Sequence, residues 1–90
     1  MSGSVVNKVI EVRRNSLDDY VVEAIVGFQE GPGLVVIRGR GPYISKAVDV
    51  YNELAKRLGD GLELVKVEIG SERVRGRIFS YISISLRKKF

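Results

Sequence analysis

The chain has 90 residues, 44% of them hydrophobic and 29% charged, with a net charge of +4. That length suits one domain over residues 1–90, burying about 60–65% of its unfolded surface, and the composition excludes a disordered chain. Cys, His and Trp are absent, which excludes disulfides, thiolate nucleophiles, imidazole bases and any metal site built on Cys or His.

Residues 4–12 (Ser-Val-Val-Asn-Lys-Val-Ile-Glu-Val) are rich in β-branched side chains and read as a first strand. Ser16 opens a helix, with Asp19 three residues later as an approximate capping box and Asp18 also near the positive dipole end. Leu17, Tyr20, Val21, Ala24, Ile25 and Phe28 then recur at helical spacing, and Gly31-Pro32-Gly33 ends the helix. Leu34-Val35-Val36-Ile37 is a short apolar run that suits a central strand.

A second helix is predicted from about Tyr43 to Leu58, with Ile44, Ala47, Val48, Tyr51, Ala55 and Leu58 as its stripe. Gly59-Asp60-Gly61 stops it. Residues 62–70 and 77–87 read as two more strands, joined by a basic segment over 71–76. In the last strand Ile78, Ile82, Ile84 and Leu86 share one parity, leaving Phe79 and Tyr81 on the other. Val22, Val26 and Val50 lie off the helical stripes and suit either flank packing or an oligomer contact.

The order is therefore β-α-β-α-β-β. A right-handed crossover makes the first two strands parallel, and the hairpin adds an antiparallel pair. The expected fold is a two-layer α/β (α+β) arrangement: a four-stranded mixed sheet, two helices on one face and a long basic β-hairpin. No run approaches the roughly 18 apolar residues of a membrane span. Met-Ser-Gly-Ser lacks the regions of a signal peptide, so a cytoplasmic location is expected. Sparse Gln with abundant Val, Ile, Arg and Glu suits a thermophilic source.

Charge is unevenly placed. Residues 1–37 hold three bases against five acids, whereas residues 38–90 hold twelve against six. Within 71–90 six bases face a lone acid, Glu72. Clustered Lys and Arg gain from counterion release when they meet phosphates, so a polyanionic partner is expected.

Two segments stand out. Arg38-Gly39-Arg40-Gly41-Pro42-Tyr43-Ile44-Ser45-Lys46 is a strand-to-helix turn where glycines permit close backbone approach and a helix N-terminus offers amides to an anion. The nucleotide pattern Gly-x-Gly-x-x-Gly breaks at Ile44 and no phosphate loop follows, which argues against a small-molecule enzyme. An ordinary turn with solvated arginines fits the same residues. The hairpin places Arg73, Arg75 and Arg77 at alternate positions, which on a ribbon sets three guanidiniums on one edge able to reach phosphates; a soluble loop whose arginines discourage edge pairing fits the same residues. Arg13-Arg14 makes a smaller basic step after the first strand, and Asp18-Asp19 is explained by capping.

Val35-Val36-Ile37-Arg38-Gly39-Arg40-Gly41 followed by Ile44-Ser45-Lys46-Ala47-Val48-Asp49 resembles the central signature of the Alba family of small archaeal chromatin proteins. Val67-Glu68-Ile69-Gly70-Ser71 and the closing Ile82-Ser83-Ile84-Ser85-Leu86-Arg87-Lys88-Lys89 look like the end of that family. The resemblance implies a chromosome-associated dimer, either homomeric or paired with a paralogue. Such a dimer binds double-stranded DNA and RNA with little sequence preference and without catalysis, cofactor or metal.

Carried over by position, the contacts are Arg13, Arg14, Arg38, Arg40, Lys46, Arg73, Arg75 and Arg77. An RNA-directed role, as a ribonucleoprotein subunit or RNA chaperone, is the alternative; Phe79 and Tyr81 would then stack bases or be buried in the dimer. Three departures follow from the same resemblance. Arg13-Arg14 replaces a lysine pair, which puts acetylation control in doubt. Pro42 replaces a base, and Leu58 replaces an aromatic used between dimers, so side-by-side assembly is expected to be weaker or different.

Overall fold

The computed structural model describes residues 7–31 and 33–89. Residues 4–6 of the expected first strand, and Pro32 of the helix stop, lie outside them. Strand β1 (Lys8–Glu11) leads into helix α1 (Leu17–Gln29), then strand β2 (Val35–Arg40). Helix α2 (Ile44–Leu58) follows, and strands β3 (Leu62–Val74) and β4 (Arg77–Lys88) close the fold. The sheet order is β1-β2-β4-β3. β1 runs parallel to β2, and β4 is antiparallel to both β2 and β3, as expected from the right-handed crossover and the hairpin.

Alternation along the strands sends one row of side chains under the helices. Ile10 faces Ile37 across β1–β2, and Ile37 faces Ile84 across β2–β4. All three are buried, with Tyr20, Val21, Ala24 and Phe28 of α1 above them. Burying an Ile or Leu of this kind contributes about 1.5–3 kcal/mol. Ser16 caps α1, its hydroxyl accepting the Asp19 N–H at 3.2 Å.

The centre of α2 differs from the expected stripe. Ala47, Val50 and Leu54 are the fully buried positions, while Val48, Tyr51 and Leu58 are only partly covered. Ala47, Val50 and Leu54, at i, i+3 and i+7, form the middle row of the buried face, so Ala47 keeps its expected place while Ile44, Val48, Tyr51 and Leu58 flank that row. Val50 is thus core, whereas Val22 and Val26 are exposed on α1.

Two boundaries also move, and both matter for the basic residues. β2 continues to Arg40, so Arg38 and Arg40 belong to a strand rather than to a turn. Gly39 permits this: a Cβ there would lie 2.8 Å from the Ala47 Cβ and clash with the Tyr43 carbonyl, so α2 packs directly over the strand. The joining segment 71–76 shrinks to two residues, Arg75 and Gly76, with φ of 52° and 80°. Two successive positive φ values match the twist of an antiparallel pair, which lets the ladder run to the tip. No helix among the described residues is long and apolar enough to cross a membrane.

Candidate nucleic-acid interface

Beyond the Arg40–Tyr81 rung, β4 pairs only with β3. Residues 71–80 therefore form a two-stranded arm that leaves the body of the sheet. Arg73 stands opposite Ile78 and Arg77 opposite Val74. Adjacent rungs point to opposite faces, so Arg73 and Arg77 lie on opposite faces with Arg75 at the tip. The expected single edge of guanidiniums is replaced by a ring of charge around the tip, because the turn falls between the alternating positions. All three side chains are exposed. Among the described residues no carboxylate lies within 4.0 Å of them.

Arg13 and Arg14 occupy the loop after β1 and are likewise exposed without an ion pair among the described residues. Their loop is held from below. The Arg13 N–H donates to the Tyr20 hydroxyl at 2.6 Å, and the Asn15 N–H donates to the same oxygen at 3.2 Å. Lys46 Nζ donates to the Arg13 carbonyl at 2.8 Å and also to the Asn15 carbonyl, with its ammonium 5.5 Å from the Tyr20 ring centre. Lys46 thus anchors the arginine loop rather than facing open solvent as a free charge.

Arg38 and Arg40 behave differently again. Their rungs place them on the sheet face away from the helices, beside Ser83 and Tyr81. Both lean across β4 to one carboxylate. Arg38 Nη2 donates to Glu72 Oε1 at 3.0 Å, and Arg40 Nη1 donates to Glu72 Oε2 at 2.7 Å. Beneath them, Arg38 lies 5.1 Å from the Tyr81 ring centre and Arg40 5.7 Å from that of Phe79, favourable cation–π distances. Glu11 approaches Arg38 Nε at 3.8 Å. The Arg40 hydrogen bond, reinforced by that from Arg38 and opposed by partial burial, holds the Glu72 carboxyl below the ordinary carboxylate range.

These elements meet at a cavity of about 540 Å³, whose lining includes Arg13, Arg14, Arg40, Tyr43 and Phe79. α2 begins next to it after a single 3-10 turn, Gly41–Tyr43, with no side-chain cap. Of the eight residues singled out from the sequence, only Arg38 and Arg40 are paired with carboxylates among the described residues; Lys46 keeps its charge but is held by backbone carbonyls, and the other five side chains are exposed.

Glu72 and Glu11 escaped the sequence reading. Glu72 is visible as the lone acid of a basic stretch, but its reach to β2 follows only from strand order. An apolar row escaped as well. Leu64, Val67 and Ile69 stand opposite Leu86, Ile84 and Ile82, hence on the helix side of the sheet, with Ile78 further along the arm. The helices do not cover them: Leu64 is 45% exposed, Val67 47%, Ile78 65% and Ile69 76%.

Comparison with known proteins agrees with this architecture. The Alba family model matches residues 8–71. DNA/RNA-binding protein Alba 2 of Saccharolobus solfataricus is 43% identical over 84 residues, covering 93% of this chain and 94% of its own. DNA/RNA-binding protein Alba of Nanoarchaeum equitans is 35% identical over 85 residues, covering 87% and 94%. Among solved structures, Alba from Thermoplasma volcanium matches with a TM-score of 0.82 at 25% identity, over 90% of this chain and 100% of that one.

Proposed function

Because the chain belongs to the Alba family, we propose that it is a non-catalytic, largely sequence-independent binder of double-stranded DNA, and of RNA. It acts as one nucleic-acid-binding domain per chain, in dimers, on the chromosome in the cytoplasm, serving chromatin architecture and compaction. The observation that carries this reading is the arm. Arg73, Arg75 and Arg77 are exposed, with no carboxylate within 4.0 Å among the described residues, on an extension where β3 and β4 pair only with each other. A duplex offers a line of phosphates to such an arm, and Arg13 and Arg14 supply a second point of contact on the body. Affinity from phosphate contacts is sequence-blind and falls steeply with salt.

Arg75 adds a second support. A non-glycine residue held at φ 52° costs about 1–3 kcal/mol of backbone strain, and Asn or Gly is the usual occupant of such a turn. In this reading the strain is offset by a guanidinium placed at the arm's tip, where it can meet a phosphate.

The apolar row is assigned to a second copy of the chain. Leu64, Val67, Ile69 and Ile78 form a strip along one side of the hairpin, of the kind that marks an interface. A dimer closed there presents two arms at once. Ile69→Asp, at a side chain already exposed in the single chain, is expected to keep the fold and yield monomers in sedimentation experiments. A variant that stays dimeric removes the row from the interface.

Arg38 and Arg40 sit over the Tyr81 and Phe79 rings, which counts against base stacking on them. Duplex contact is the reading we adopt. Fluorescence anisotropy with matched duplex DNA and duplex RNA, titrated across salt, tests it. Tight DNA binding with a steep, sequence-independent salt slope supports it. A clear RNA preference transfers the protein to a ribonucleoprotein role, and no binding to either at low salt rejects both.

A further inference from the structure

We propose that Glu72 is an internal competitor that withholds Arg38 and Arg40 from the nucleic-acid backbone, and so sets how many phosphates the protein neutralises. The inference rests on the nucleic-acid-binding reading and adds to it a residue of the wrong sign for a phosphate contact.

Each Glu72 oxygen takes one guanidinium, at 3.0 and 2.7 Å. That is a geometry a phosphate would otherwise adopt between the two arginines, since carboxylate and phosphate compete for the same guanidinium donors. The rings of Tyr81 and Phe79 fix the cations from below. The Arg38 Nε is buried without a hydrogen-bond partner, so this side chain is sunk against the sheet rather than swinging in solvent. The three side chains are 31%, 33% and 31% exposed for Arg38, Arg40 and Glu72.

With Glu11 at 3.8 Å from Arg38, the cluster holds two acids and two bases, and its local charge is balanced. Polyanion attraction depends on uncompensated cations. The cluster therefore contributes little to it, although Arg40 borders the same cavity as Arg13 and Arg14. Its remaining work is mechanical: Glu72 belongs to the arm and Arg38 and Arg40 to β2, so the bridge ties the arm's root to the body across β4.

Glu72→Gln tests the competitor directly, in anisotropy titrations of a short duplex DNA. Freed of the carboxylate, Arg38 and Arg40 become available. The slope of log K against log salt is expected to steepen by up to about 2, and affinity at about 0.1 M salt to rise roughly tenfold or more. An unchanged or shallower slope, in a variant with native circular dichroism, overturns the inference and leaves Glu72 as a brace alone. Failure of the wild type to bind at low salt is a different result, and rejects the binding reading itself.

If Glu72→Gln does not fold, the wild type supplies the test. On adding duplex, the guanidinium NMR signals of Arg73 and Arg75 are expected to shift while those of Arg38 and Arg40 stay in place. Shifts of all four to a similar extent overturn the proposal.

Discussion

On the arm, Arg73, Arg75 and Arg77 project from a two-stranded ribbon with no carboxylate within 4.0 Å of their charged nitrogens among the described residues. On β2, Arg38 and Arg40 reach across a strand to share Glu72, with an aromatic ring under each. The residue type is the same and the electrostatic outcome is opposite. What separates them is neighbourhood: the arm has a neighbouring strand on one side only, whereas the β2 side chains lie flat across β4 within reach of β3. Counting bases in a sequence overstates the charge a surface offers when the sheet folds an acid back onto them.

The largest expected effect lies on the arm. Arg73→Gln combined with Arg75→Gln is expected to make the salt slope shallower by about 2 and to weaken binding at about 0.1 M salt roughly tenfold or more. Anisotropy across salt reads both numbers, and a slope equal to the wild type's breaks the comparison at its stronger end.

Arg13→Gln with Arg14→Gln is expected to act in the same direction but less, by about 1 in slope, because neighbours on one short loop reach the same phosphates. A loss as large as the arm's would make the body the principal contact. Smaller again is Arg75→Gly, which separates charge from backbone. It is expected to lower the slope by about 1 while raising thermal stability by about 1 kcal/mol as the strain at φ 52° is relieved. A stability loss there would mean that the guanidinium is held by the arm itself.

Much of the fold was legible because short-range signals agree. The stripe from Leu17 to Phe28, the Ser16 cap and the glycines after Leu58 give α1 and α2 their types and ends, and the parity of Ile82, Ile84 and Leu86 gives β4 its buried face. What was not legible depends on contacts distant in sequence. Leu54 is core because it continues the row of Ala47 and Val50 that faces the sheet, and no local spacing distinguishes it from the half-buried Tyr51 and Leu58.

Arg38 and Arg40 looked like turn residues because their glycines resemble a turn, when Gly39 instead lets a helix lie close to a strand. The two-residue turn at Arg75-Gly76 hid behind a polar stretch that continues the strand pairing. Glu72 read as one acid in a basic tail. Its role needs the order β2-β4-β3, which places it across from β2 with one strand between.

Parallel salt titrations of three proteins on the same duplex test the central contrast most directly. These are the wild type, Arg73→Gln/Arg75→Gln, and Arg38→Gln/Arg40→Gln/Glu72→Gln. The account predicts a slope shallower by about 2 for the arm pair and within about 0.5 of the wild type for the triple variant. A triple variant that loses as much slope as the arm pair would contradict it, and would return Arg38 and Arg40 to the contacts that hold the nucleic acid.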